Sequence, residues 1–175
     1  MKTKKLSIAA ALMLSAAAAF GSRTDAGTWA FGGTLFVDPS SFAGTDFRAD
    51  IDLGFYIQNG LMVGGEFAFA DNDYTTTFAL NGIGKWHFLD NGGTPFSPFL
   101  VAAAGLANFQ TAADDITALV FGARVGFDFF LTENAAIETV LGASVATDDI
   151  YADNDDDKGA TNIDITLKMG LMFFF

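Results

Sequence analysis

The sequence predicts an all-β fold, an eight-stranded antiparallel up-and-down barrel, and three observations support this prediction. Apolar and polar residues alternate with a period of two along eight runs, which is the pattern of strands with two different faces. Twenty Phe and 19 Gly stand against three Pro, a composition that favours strands and turns over helices. Hydrophobic residues make up 51% of the chain, yet no mature segment has the roughly 18 consecutive apolar residues of a membrane-spanning helix.

Residues 1–21 are predicted to be a cleaved signal peptide that precedes a single barrel domain, residues 22–175. Met1 to Lys5 are positively charged, Leu6 to Leu14 form a short apolar core, and small residues that allow cleavage between positions 19 and 26 follow. An uncleaved membrane anchor is the alternative, and the short apolar core argues against it. Because the chain has no Cys, attachment as a lipoprotein, disulfides and thiolate metal sites are excluded.

The first four predicted strands each place bulky apolar side chains on one face. They cover residues 28–37, 46–57, 61–70 and 76–88. Between the second and the third, Gln58-Asn59-Gly60 is a tight-turn signal. The apolar faces include Trp29, Phe31, Leu35, Val37, Phe47, Phe55, Leu61, Phe67, Phe78, Leu80, Trp86 and Phe88.

The last four predicted strands cover residues 96–107, 117–131, 135–147 and 162–175. The fifth strand of the barrel is small and apolar on both faces, so its facing stays open. The other three alternate clearly between apolar and polar positions. Their apolar faces include Leu119, Phe121, Val125, Phe127, Phe129, Leu131, Ile137, Leu141, Val145, Ile163, Ile165, Leu167 and Met169.

The breaks between these strands alternate in character. Those after strands two, four and six are short, whereas those after strands one, three, five and seven are mostly longer and more polar, the last spanning 148–161. Short turns on one side and long loops on the other are typical of bacterial membrane barrels. Strands of about ten residues, tilted near 45°, also cross an apolar band of roughly 25 Å.

A soluble barrel with its apolar face inside is the alternative to a membrane barrel with that face outside. The apolar side chains are bulky, whereas an eight-stranded barrel has little interior room. The other face is rich in small residues and has only a few charges, of both signs, whereas a soluble exterior would carry many Lys and Glu. We therefore predict a transmembrane barrel with Trp29 and Trp86 at the membrane interfaces and with Phe67, Phe127 and Leu167 facing lipid.

Two segments carry a resemblance to a known family. The alternation from Ile163 to Phe175, ending in Leu171, Phe173 and Phe175, resembles the signal that the barrel assembly machinery recognises in bacterial outer-membrane proteins. Residues 122–138 resemble the family's penultimate hairpin. With the export signal and the eight runs, the mature chain is similar to the small outer-membrane β-barrel superfamily that includes OmpX, OmpW and the OmpA membrane domain.

The resemblance implies a location in the bacterial outer membrane, with the N-terminus in the periplasm and the long loops outside the cell. It implies outer-membrane lipid and the assembly machinery as partners, and a monomer. Nucleic acid is not expected as a partner, because without Lys2, Lys4 and Lys5 six basic residues face 21 acidic ones, a net charge of −15.

Members of that superfamily have structural, adhesive or small-conduit roles, and a few modify lipids. We expect a structural protein with acidic surface loops and a lumen filled by side chains. A narrow channel for small solutes is the alternative, a surface adhesin comes third, and a lipid-modifying enzyme last. No enzyme activity and no cofactor are expected, because His87, the only histidine, shows no evident catalytic partner and is interpreted as a polar residue near the periplasmic rim.

Hairpin geometry makes a sharper prediction about the inner face. Three-residue turns at 58–60 and 132–134 would place Asp52 beside Glu66 and Asp128 beside Glu138, two like-charge pairs inside the barrel. Buried charges persist only when they are paired, so basic residues are expected to neutralise these pairs and fill the lower lumen. A gate that opens by partner exchange is the alternative. The predicted network consists of Arg48, Asp50, Asp52, Glu66, Lys85, Arg124, Asp128, Glu138 and Lys168.

The most acidic segment, residues 148–159, is a weak candidate for a calcium site. Asp153, Asp155 and Asp157 have the alternate spacing of a calcium loop, but the following glycine comes one position late and no glutamate completes the pattern. We interpret the segment as a solvated loop, with a weak divalent-cation site as the alternative.

Overall fold

The computed structural model describes residues 24–38, 46–71, 75–88, 95–111, 115–148, 151–152 and 160–175. Within these ranges the chain forms a closed antiparallel barrel of eight long strands, which confirms the predicted fold class. No helix in the described part of the chain is both long and apolar enough to span a membrane. The predicted signal peptide, residues 1–21, lies outside the described residues.

The strands follow one another around the barrel in chain order. A separate two-stranded sheet, formed by β8 (Tyr151–Ala152) and β9 (Ala160–Thr161), lies in the last connection and was not predicted. The barrel strands are β1 (Trp29–Asp38), β2 (Asp46–Gln58), β3 (Leu61–Asp71), β4 (Thr75–His87), β5 (Phe96–Thr111), β6 (Asp115–Phe130), β7 (Ala135–Ala146) and β10 (Ile163–Phe174). Pairing of β1 with β10 closes the sheet.

The hairpin registers match the predicted ones. Asp52 lies opposite Glu66, and Asp128 lies opposite Glu138. At the first hairpin the pairing shifts between Tyr56 and Gln58, which marks a β-bulge. The turn therefore has two residues instead of the predicted three, and the extra residue lies in the bulge. Gly60, at φ 76°, supplies the left-handed backbone of that turn.

Bulky apolar side chains face outward, as predicted. Phe67 is 44% exposed and Leu167 is 70% exposed, and neither packs centrally. The structure also settles the facing of β5, because Phe99 and Val101 are buried inside whereas Leu100 is exposed on the outer surface. The alternating pattern therefore separates an apolar exterior from an interior that holds most of the buried charges.

Several bulky inward side chains lie over a glycine of the neighbouring strand. Phe99 lies opposite Gly126, where an added Cβ would come within 2.6 Å of the Phe99 ring. Arg124 lies opposite Gly142, where an added Cβ would meet the Arg124 side chain at the same distance, 2.6 Å. The glycines of the inner face thus make room for large neighbours in a narrow lumen.

The predicted alternation of short and long breaks is wrong for three connections. Only three residues separate β3 from β4 and β5 from β6, whereas 88–95 separate β4 from β5. Polar side chains extend the β5–β6 hairpin beyond its apolar part, because the Asn108 amide donates to Asp115 at 2.5 Å and to Thr117 at 3.0 Å. These hydrogen bonds support ladder pairing where the apolar pattern has ended.

We expect Gly126→Ala to lower the free energy of unfolding by about 1–3 kcal/mol, because the new methyl group would overlap both the Phe99 ring and the backbone oxygen of Thr139. Gly84→Ala is the matched control, since nothing lies within 4 Å of its added Cβ, and it should be neutral or stabilise by up to about 1 kcal/mol. Urea unfolding in detergent, followed by tryptophan fluorescence, measures both. Equal effects of the two substitutions would contradict the proposed role of Gly126.

Candidate functional site in the barrel lumen

The inner face of the barrel brings most of the predicted charged residues together. We call them the lumen cluster. Six of its side chains belong to buried residues, and the other two, Arg124 and Lys168, are largely covered. The lumen cluster consists of Asp50, Asp52, Glu66, Lys85, Arg124, Asp128, Glu138 and Lys168.

Lys85 neutralises the acidic pair on the β6–β7 hairpin. Its ammonium group donates a short hydrogen bond to Glu138 and lies 3.5 Å from Asp128 Oδ2. The same nitrogen lies 3.9 Å from the centre of the Phe99 ring, so a cation–π contact covers one of its sides. Lys85 is thereby surrounded by two carboxylates and an aromatic face, which compensate for its removal from water.

Arg124 neutralises Glu66, one member of the other acidic pair. Two of its guanidinium nitrogens donate to the two Glu66 oxygens, Nη2 to Oε1 at 2.6 Å and Nη1 to Oε2 at a shorter distance. The Asn81 amide also donates to Glu66 Oε1, at 2.9 Å. Such a bidentate pair fixes orientation as well as charge, and Gly142 leaves the space in which the Arg124 side chain lies.

Lys168 joins this group to the upper lumen. Its ammonium lies 2.5 Å from Asp50 Oδ2 and 4.0 Å from Glu66 Oε2. The Thr34 hydroxyl donates a further hydrogen bond to Asp50 Oδ2, at 2.8 Å. Glu66 is therefore within ion-pair distance of two cations, Arg124 from β6 and Lys168 from β10.

Two members of the predicted network stand apart from these ion pairs. Arg48 is exposed, above the buried charges. Asp52 is buried beside Glu66, but its Oδ1 has no hydrogen-bond donor among the described residues. Asp128 Oδ1 and Asn81 Oδ1 are also buried without a hydrogen-bond partner among the described residues. The lumen cluster contains five carboxyl groups and three basic side chains.

His87 has partners that sequence reasoning missed. Its Nε2 lies 2.8 Å from Asp128 Oδ2, and its Nδ1 lies 3.4 Å from the Tyr56 hydroxyl. Since a carboxylate only accepts, the His87 Nε2 atom is the donor in the contact with Asp128. The expectation that His87 has no acidic partner is therefore wrong.

The reason lies in the distance along the chain between these partners. Asp128 reaches His87 across β5, because His87 is paired with Phe99 and Phe99 with Gly126. Predicting that contact requires the registers of two successive hairpins, and the facing of β5 was open. Combining the registers of the β4–β5 and β5–β6 hairpins would have placed His87 near Asp128.

An apolar floor lies at the end of the barrel that carries the turns after β2, β4 and β6. Tyr56, Met62, Phe99, Phe130 and Phe174 point inward and are buried. Three of their aromatic rings lie near one another. The ring centroids of Phe130 and Phe174 are 5.3 Å apart, and those of Tyr56 and Phe174 are 6.4 Å apart. These large inward side chains lie below the ion pairs, on a face that is otherwise rich in small residues.

The lumen cluster brings acidic and basic side chains of several strands into ion-pair distance. Among the described residues no group of His, Asp and Glu side chains could hold a metal ion. Asp153, Asp155 and Asp157, the weak calcium candidates, lie outside the described residues.

Comparison with solved structures shows the same fold in small outer-membrane barrels. Neisserial surface protein A has a TM-score of 0.58 and 16% identity, over 85% of this chain and 96% of that one. The N-terminal barrel domain of Pseudomonas aeruginosa OprF has a TM-score of 0.58 and 14% identity, over 87% of this chain and 100% of that one.

A third structure with this fold is the outer-membrane protein OprG of Pseudomonas aeruginosa. Its TM-score is 0.52 and its identity 12%, over 87% of this chain and 97% of that one. No protein-family model and no curated protein sequence matches the chain. The predicted resemblance to small eight-stranded outer-membrane barrels is confirmed at the level of the fold.

Lys85→Met would leave Asp128 and Glu138 side by side and buried without their shared cation. We expect this substitution to lower the free energy of unfolding by about 3–5 kcal/mol, the usual cost of leaving a buried charge without its partner. Urea unfolding in detergent measures it. The double variant Lys85→Met/Glu138→Gln removes the like-charge repulsion and should lose clearly less. A double variant at least as unstable as Lys85→Met would show that ion pairing is not what Lys85 supplies.

Proposed function

We propose that the protein is a structural barrel of the bacterial outer membrane, with a lumen filled by the lumen cluster and by the apolar floor beneath it. Its N-terminus lies on the periplasmic side, and the connections after β1, β3, β5 and β7 lie at the cell surface. The observation that carries this proposal is the exterior, where bulky apolar side chains are exposed on every strand of a closed sheet.

Water is a poor solvent for such a surface. Leu80, Ile165, Leu167 and Met169 are among the most exposed side chains of the barrel strands, and all are apolar. A soluble protein rarely exposes contiguous apolar patches larger than a few hundred Å². In a bilayer the same surface contacts acyl chains, and the closed ladder provides backbone pairing that hydrocarbon cannot.

Aromatic side chains near the end that carries the turns after β2, β4 and β6 support the same assignment. Trp29 packs on Phe55 with ring centroids 5.0 Å apart, and Trp86 packs on Phe88 at 5.9 Å, all on the outer surface. Aromatic girdles at this level mark the membrane–water interface of outer-membrane barrels. The partners proposed for the protein are therefore outer-membrane lipid and, during assembly, the barrel assembly machinery acting on Leu171, Phe173 and Phe175 of the last strand. The protein is proposed to be a monomer.

A catalytic role is not supported by the His87 site. The side chains of His87 and Asp128 are both 0% exposed, so no substrate atom can reach them in this structure. Their position between the floor and the ion pairs suits packing and charge compensation. We infer that the protein is not an enzyme.

The proposed orientation can be tested by labelling, because the chain contains no Cys. A single Asp155→Cys, in the connection after β7, should react with a membrane-impermeant maleimide on intact cells. Glu133→Cys, in the short turn after β6, should react only after the outer membrane is permeabilised. Both variants should be found in the outer-membrane fraction. Labelling of Glu133→Cys on intact cells would reverse the orientation, and a soluble protein would overturn the proposal.

A narrow channel is the second candidate function, and one observation favours it. Glu66 lies near two cations, Arg124 and Lys168, while the neighbouring Asp52 has one oxygen with no hydrogen-bond donor in the described part of the chain. Arg124 or Lys168 could move toward Asp52 and leave its present partner, which would open a path beside Glu66. The excess of carboxylates would make such a path select cations.

Planar-bilayer recording separates the two functions. The structural proposal predicts no steady current through the wild-type barrel, because side chains fill an eight-stranded lumen. A gated channel predicts a steady, cation-selective current that rises in Arg124→Ala. Arg48→Ala is the matched control, since Arg48 is exposed and outside the lumen cluster. A wild-type current that Arg124→Ala changes and Arg48→Ala does not would replace the structural proposal by the channel.

A further inference from the structure

The chain just before β1 is hydrogen-bonded into the barrel end that carries the turns after β2, β4 and β6. Residues 24–28, which we call the N-terminal strap, continue the β1–β2 ladder by one pair, because the Tyr56 N–H group donates to the Thr28 carbonyl at 2.9 Å. Beyond that pair, the Gly27 N–H group donates to the Tyr56 carbonyl at 2.8 Å. The N-terminal strap is therefore attached to β2 as well as to β1.

A tight turn folds the N-terminal strap back on itself. The Thr28 N–H group donates to the Asp25 carbonyl at 3.1 Å, which makes residues 25–28 a β-turn. Gly27, the third residue of this turn, has a φ of 96°, the left-handed backbone that a type II turn requires there. An added Cβ at Gly27 meets nothing within 4 Å, so the glycine is needed for its backbone conformation and not for space.

The folded segment also contacts the β2–β3 turn and, through that turn, β4. The Gly60 N–H group donates to the Thr24 carbonyl at 2.9 Å, and the Ala26 N–H group donates to the Asn59 side-chain oxygen at 3.0 Å. The Gly60 carbonyl in turn accepts from the His87 N–H group at 2.7 Å. The N-terminal strap thus ties β1 to β2 and β4 at one end of the barrel.

Both ends of the N-terminal strap are buried. Thr24 is 4% exposed and Thr28 is 5% exposed, although both lie outside the barrel strands. Gly60, which donates to Thr24, is buried as well. Loss of residues 24–26 would take away the carbonyl acceptors of the Gly60 and Thr28 N–H groups, and a buried donor without its acceptor destabilises a fold. The barrel therefore uses the chain as far upstream as Thr24.

We propose that the N-terminal strap is a permanent part of the mature barrel, and that a signal peptidase removes the signal peptide after Ala19 or Gly21 and not after Ala26. Small residues precede all three bonds, so the sequence alone leaves the three cuts open. The contacts of residues 24–26 separate them, because only the two upstream cuts leave the N-terminal strap complete. The inference rests on the proposed export to the outer membrane.

The processing step is the hydrolysis of one peptide bond. The C–N bond between Ala19 and Phe20, or between Gly21 and Ser22, breaks as water adds across it. The carbonyl carbon receives the water oxygen and becomes the carboxylate end of the released signal peptide. The nitrogen receives a proton and becomes the amino terminus of the mature chain, which keeps residues 24–28 after either cut.

The mature N-terminus is read directly by intact-mass measurement and N-terminal sequencing. Both are applied to the protein from the outer-membrane fraction of cells that express the full chain. We expect the mature chain to begin at Phe20 or Ser22. Any other start, Gly27 above all, would overturn the inference even though the protein is in the outer membrane. A protein absent from that fraction would overturn the proposed location, and the inference with it.

The same substitution at two alanines separates the upstream cuts from the downstream one. Ala19→Asp places a charge directly before the first bond and three positions before the second, so it should slow cleavage by roughly tenfold or more. Ala26→Asp is the matched control and should be cleaved at the wild-type rate. Pulse labelling, with precursor and mature forms separated on a gel, measures both rates. Normal cleavage of Ala19→Asp, or slowed cleavage of Ala26→Asp, would overturn the inference.

Gly27→Ala tests whether the N-terminal strap holds the folded barrel end, because alanine disfavours the left-handed backbone of its turn. Amide hydrogen exchange in detergent should accelerate about tenfold at Gly60, whose N–H group donates to the strap, and should not change at Trp29, whose N–H group donates to the end of the chain. Gly84→Ala is the control and should leave both amides unchanged. Unchanged exchange at Gly60 in Gly27→Ala, or equal acceleration at both amides, would contradict the structural role of the N-terminal strap.

Discussion

The narrow lumen of a closed eight-stranded sheet is the constraint on which the rest of this structure depends. Closure gives every barrel strand two neighbours, but it leaves an interior that only side chains can fill. A large inward residue therefore needs a small neighbour, and Phe99 over Gly126 and Arg124 over Gly142 meet that need. The bulky apolar residues that do not fit inside lie on the exterior, so the same constraint that packs the lumen also produces an apolar outer surface.

The same constraint determines the electrostatics. Antiparallel pairing puts Glu66 beside Asp52 and Glu138 beside Asp128, and the lumen offers these carboxylates little water. Each pair must then share cations that reach across the barrel from other strands. Burying a charge costs more than most surface ion pairs return, so the network is better understood as compensation for the acidic inner face than as an independent source of stability.

The sequence predicts local pairing well and contacts across several strands poorly. Two turn signals and a period of two are enough to place the acidic pairs, because each involves a single hairpin. The contact of His87 with Asp128 crosses β5. Because β5 has small apolar residues on both faces, the sequence does not show which face points inward, and the position of Phe99 could not be predicted either. The loop lengths failed for another reason. Hydrogen bonds of Asn108 and Asp115 extend a hairpin beyond its apolar segment, and hydrophobic periodicity contains no information about such polar support.

Filling the lumen and closing the barrel are linked through Lys168. Its ammonium group compensates Glu66 and Asp50 in the lumen, and the Asp50 contact also ties β10 to β2 across β1. Any movement of Lys168 toward a different carboxylate would therefore also loosen the contact between β10 and β2. The inner charges and the outer wall are coupled in this way, because the barrel is too narrow for one to change independently of the other.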